Sequence, residues 1–89
     1  MKEEIAKEIL EQCSPQYLHI IDDSHSHKGH SGVSKHENTH FKVVIAADIF
    51  INKNKVKRHQ YIYEICHPFF KQGLHALSLN TMTVSEWKQ

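Results

Sequence analysis

The chain has 89 residues, a formal charge of +1 with its nine histidines neutral, 39% apolar side chains and 24% charged ones. That composition reads as one globular domain over residues 1–89 with a thin core. No apolar run nears the roughly 18 residues that cross a bilayer, and a net charge this small does not announce a nucleic-acid binder.

The opening "MKEEIAKEILEQ" is acidic and amphipathic rather than signal-like, so a cytoplasmic or similarly reducing location is expected. Ile5, Ala6, Ile9, Leu10 and Cys13 recur at helical spacing, and Glu3 and Glu4 suit the positive end of the helix dipole. Pro15 should stop this first helix, because the residue before a proline is pushed out of the α region. "QYLHIID" follows as a short strand.

Residues Ser24 to His40 then carry five of the nine histidines, in a loop long for a compact domain. Val33 is almost its sole apolar anchor. "FKVVIAADIF" is the clearest strand, with Phe41, Val43, Ile45 and Ala47 on one apolar face and Lys42, Val44, Ala46 and Asp48 on the other.

Asn54 is an N-cap candidate for a helix through "KVKRHQYIYEIC". Ile62, Ile65, Cys66 and Phe69 make its apolar line, beside Val56, Gln60 and Tyr63. Pro68 should either kink this helix or open a second short one. Gly73 is placed for a left-handed cap, and "LHALSLNT" reads as a third strand. Thr83 and Glu86 form a capping box before Trp87.

The order α-β-β-α-(α)-β-α describes an α+β fold, a three-stranded sheet with helices packed on one face. A strand joined through a helix to a later strand allows a parallel pair. The two cysteines, Cys13 and Cys66, form no CxxC pair and read as free thiols at apolar helical positions.

"THFKVVIAADIF", "RHQYIYE" and "GLHALSLNTMTVSEW" resemble, in order and spacing, the BolA-like family, over nearly the whole chain. The resemblance implies a fold similar to class II KH domains. It also implies partnership with a monothiol glutaredoxin around a shared [2Fe-2S] cluster, or, for bacterial members, transcriptional regulation by DNA binding. Alone, the chain is expected to be a monomer or weak homodimer, without membrane contact and without a tightly held cofactor.

Two cysteines cannot supply an all-sulfur cluster site, whereas two histidines can take one iron, as in Rieske centres. The resemblance makes His75 the first candidate ligand. Strand alternation alone places His75 with Leu77 and Leu79 on the core face, where a structural role is the simpler reading. For the second ligand the resemblance points to the loop, to His30 in "KGHSG" first and His27 next, while His25 and His36 read as solvated. Gly29 and Gly32 let the backbone bend there.

His40 is expected to order the loop base through a hydrogen bond and, like His59, to support a ligand without binding the metal itself. His59 is a candidate to fix the orientation of a ligand's ring, while His19 and His67 read as surface residues. A zinc or copper site built by the loop alone lacks the spacing of a dedicated centre.

Lys53, Lys55, Lys57 and Arg58 crowd a helix start, where cations oppose the dipole and a phosphate backbone would relieve them. This is the alternative, nucleic-acid reading. "GHSG" matches the GxxG of KH domains in letters but lies between strands instead of helices. No phosphate-binding loop, nucleophile elbow or paired carboxylates suggest an enzyme.

Overall fold

Alternation along the central strand decides where the core lies. The computed structural model describes residues 1–23 and 39–89. Strand β2 (Thr39–Ala46) lies between β1 (Tyr17–Asp22), paired antiparallel, and β3 (Leu74–Met82), paired parallel. Phe41, Val43 and Ile45 are buried on one face of β2, level with Leu18 and Ile20 on β1 and Leu77 and Leu79 on β3. Period-two alternation sends His40, Lys42 and Val44 to the opposite face.

Two long helices cover the apolar face. Helix α1 (Lys2–Cys13) contributes Ile5, Ile9 and Cys13, the stripe its spacing predicts. It stops at Ser14, which takes the left-handed conformation (φ 46) and donates its N–H to the Leu10 carbonyl. Helix α2 (Lys55–Lys71) buries Ile62, Ile65, Cys66 and Phe69. Each fully buried side chain of this kind stabilises the fold by about 1.5–3 kcal/mol. The Asn54 side chain caps α2 by accepting from the Lys57 N–H at 2.9 Å.

Two local expectations change. "FKVVIAADIF" does not stay extended: β2 ends at Ala46, and Asp48–Phe50 forms a 3-10 turn that drives the Phe50 ring into the core. Pro68 neither breaks α2 nor opens another helix; one continuous helix carries it. Pro68 and His67 are exposed, so the carbonyl left unpaired one turn earlier can face water. Ile65, Cys66 and Phe69 meanwhile anchor both sides of the proline in the core. Gly73, at φ 114, makes the predicted reversal into β3.

The last helix, α3 (Val84–Trp87), opens on the Thr83–Glu86 capping box and lays Trp87 on Tyr17, ring centroids 5.2 Å apart. Glu86 does more than cap. Its carboxylate receives the buried Arg58 guanidinium at 2.8 and 3.4 Å, while Arg58 also donates to the carbonyls of Lys53 (2.7 Å) and Thr81 (3.2 Å). One arginine thus ties the start of α2 to the end of β3 and to α3.

The Arg58 hydrogen bond, with the Thr83 N–H, holds the Glu86 carboxyl down to about 2 from an ordinary 4.5. A depressed folded-state pKa contributes stability that is complete above 4.5 and is lost as pH falls toward 2. Urea unfolding measured across this window is expected to show a smaller acid loss for Glu86→Gln than for the wild-type chain, with lower stability for the variant at neutral pH.

Candidate metal-binding end of the sheet

Strand alternation would put His75 in the core, but the ladder between β2 and β3 slips by one residue at its start. Thr39 pairs with Leu74 while the next residue, His40, pairs with Ala76. His75 is the extra residue. A bulge of this kind leaves one residue unpaired and re-aims its side chain. Leu74 is therefore buried and His75 exposed, although Leu77 and Leu79 still pack inward as expected.

The bulge brings His75 against His40, with ring centroids 5.1 Å apart and planes tilted by 36°. The backbone beneath His40 is held by the residue just past β1, since the Asp23 N–H donates to the His40 carbonyl at 2.8 Å. Asp23 and Thr39, which flank residues 24–38, thus sit at the same end of the sheet as the imidazole pair. The structure gives His40 a place in direct contact with His75, where sequence reading gave it a supporting role at the loop base. The missing signal was the bulge, for which the sequence offers only the adjacent Gly73 as a hint.

The other sequence candidates separate. His25, His27, His30 and His36, with Gly29, Gly32 and Val33, lie outside the described residues. His59 is not brought to the pair. Its neighbour Arg58 bonds the Thr81 carbonyl, at the far end of β3 from His75 and about 20 Å away at ordinary strand rise. His19 and His67 are exposed surface residues, as read.

The basic patch also changes. Arg58 is buried and committed to Glu86 and two carbonyls, so it leaves the set of residues offered to an anion. The Lys55 ammonium rests on the Thr81 carbonyl at 2.8 Å and that of Lys53 on the Ile49 carbonyl at 2.9 Å. Lys57 is exposed on the first turn.

The chemistry of the donor set is nitrogen, not sulfur. Cys13 and Cys66 are free and buried among the apolar residues of α1 and α2. Burial pushes both thiols up to about 11, with the nearby Cys13 adding to the effect on Cys66. A thiolate is the metal-binding form, and here it is strongly disfavoured. Among the described residues no cluster of three or more histidine, cysteine, aspartate or glutamate side chains could hold a metal ion. The exposed His75 and half-buried His40 imidazoles can together supply two ligands. The donors among the described residues therefore fit part of a metal centre and do not by themselves complete one.

Comparison with known proteins decides the family. A family model described as BolA-like protein matches residues 9–86. The chain belongs to the BolA-like family. It is 37% identical over 84 residues to a Haemophilus influenzae protein named DNA-binding transcriptional regulator BolA, covering 94% of this chain and 78% of that one. It is 39% identical over 88 residues to the chloroplastic BOLA1 of Arabidopsis thaliana, covering 97% of this chain and 52% of that protein. The solved structure of Arabidopsis BolA1 superposes with a TM-score of 0.84 at 33% identity, covering 97% of this chain and 94% of that one. The α+β fold and three-stranded sheet are thus those of BolA structures. No described helix of this BolA-like chain is long and apolar enough to cross a membrane.

Because both thiols are buried and held far above neutrality, an aromatic disulfide reagent at about pH 8 is expected to leave the folded chain unlabelled. Urea-unfolded chain should release two equivalents promptly, one for each cysteine. Prompt labelling of folded protein would place a thiol at the surface.

Proposed function

We propose that this BolA-like chain is a non-enzymatic adaptor that binds a monothiol glutaredoxin and supplies histidine ligands to a [2Fe-2S] cluster held between the two proteins. The observation that carries this reading is the bulge at His75, which turns an imidazole out of the core at the end of the sheet where residues 24–38 depart and return. Such a cluster, when bound, supplies an iron pair whose four protein ligands are usually thiolates, with histidine able to replace two of them.

The chain's own part is limited by its side chains. Both cysteines are sequestered, so thiolate ligands fall to the partner, and His75 offers an imidazole nitrogen from a strand fixed by its ladder. The resemblance assigns the second nitrogen to His30, with His27 next.

The reading is tested by mixing the chain with cluster-loaded glutaredoxin and recording visible circular dichroism and EPR. His75→Ala is expected to abolish the spectrum of the mixed complex, and His30→Ala to alter it. A His75→Ala spectrum identical to wild type sinks the ligand assignment.

A second reading, DNA binding at the start of α2, is favoured by the names of the Haemophilus relative and of an Escherichia coli relative, 31% identical, also named DNA-binding transcriptional regulator BolA. With Arg58 buried, Lys53, Lys55 and Lys57 remain to meet phosphates. Duplex affinity should then fall with salt with a logarithmic slope no steeper than about −3. Gel shifts at two salt concentrations check this, and Lys55→Glu with Lys57→Glu should remove most of the shift. Binding that survives both substitutions would move the interface elsewhere.

A further inference from the structure

We propose that His40 and His75 form a two-nitrogen site for a single divalent transition-metal ion, used by the chain without any partner. The inference shares His75 with the function proposed above but needs neither its glutaredoxin nor its cluster. It assigns to His40 a role as ligand that goes beyond ordering the loop base.

The distance between the rings carries the argument. An imidazole nitrogen binds zinc at about 2.0–2.1 Å, which puts the ring centre about 3.2 Å from the ion. Two such rings at a coordination angle between 90° and 110° have centres roughly 4.5–5.2 Å apart. His40 and His75 stand at 5.1 Å. Separate strands provide the two rings, so their spacing is set by the β2–β3 ladder and its bulge, not by one flexible segment. Histidine χ2 has a broad, shallow torsional profile, so a small rotation of each ring can converge the nitrogens without moving the backbone.

The other nitrogen of each ring is left for a hydrogen bond, which is how metal-bound histidines are normally oriented. Borderline ions such as Zn²⁺ and Ni²⁺ suit imidazole, whereas the described donors do not make the oxygen-rich set that Mg²⁺ or Ca²⁺ needs. With only two protein nitrogens the ion keeps positions open to water, as sites that exchange ligands do.

Zn²⁺ titration by calorimetry, joined to NMR of the histidine ring protons, tests the site on the full chain. The background is a variant with His25, His27, His30 and His36 all changed to Gln, so that those four histidines cannot compete. This variant is expected to retain one Zn²⁺ site, with the His40 and His75 ring signals shifting together. Adding His40→Gln or His75→Gln should each weaken that site by roughly tenfold or more, with the amide spectrum confirming the fold.

Unchanged affinity on adding His40→Gln, or no site in the four-substitution background, overturns the proposal. Either result leaves the cluster reading standing if His75→Ala still abolishes the glutaredoxin spectrum. Conversely, an intact two-histidine Zn²⁺ site beside an unchanged glutaredoxin spectrum separates the failures in the other direction.

Discussion

The parallel pairing of β2 with β3, entered through a one-residue slip, is the constraint from which both core and candidate site follow. Beyond the slip, Phe41, Val43 and Ile45 lie level with Leu77, Leu79 and Thr81, so one face of the sheet presents a nearly continuous apolar surface to α1 and α2. Ahead of the slip, the extra residue cannot take a place in either face's alternation. That residue is His75. Burying an imidazole without partners is costly, and the bulge removes the need by turning the ring outward while Leu74 keeps its place in the core.

A second anchor operates at the opposite end of the strands. Arg58 gathers the carbonyls of Lys53 and Thr81 and the Glu86 carboxylate around a buried guanidinium whose charge is compensated within the fold. The geometry explains why cations are tolerated at the start of α2. Arg58 and Lys55 send their charge across to the β3 terminus, and the Asn54 cap satisfies the helix's own N–H. A cluster that looks in sequence like an anion-binding surface is partly a clasp between elements. The exposed positive charge left at that end is correspondingly smaller.

The two ends of the sheet therefore divide the chemistry. One end is held by an internal ion pair whose carboxylate stays ionised well into acid. The other carries two imidazoles side by side, in a chain whose thiols are sealed in the interior. Nitrogen from the sheet and sulfur from elsewhere is the division of ligands that such an arrangement favours.

The sequence by itself determined the elements, because their signals are local. Helical spacing of Ile5, Ile9 and Cys13, alternation through Phe41, Val43 and Ile45, the Asn54 cap, Gly73 and the Thr83–Glu86 box each act within a few residues, and each is found where it was read. The same motifs and their order sufficed for the family. Tertiary structure alone decided what happens where distant segments meet. Whether His75 faces inward depends on its register against Thr39 and His40, more than thirty residues earlier, and alternation within one strand cannot report a slip between two. The burial of Arg58 likewise depends on Glu86 arriving from the far end of the chain, and the unbroken course of α2 through Pro68 on core contacts to either side. These outcomes are set by pairing and packing between segments, which no local pattern of residues encodes.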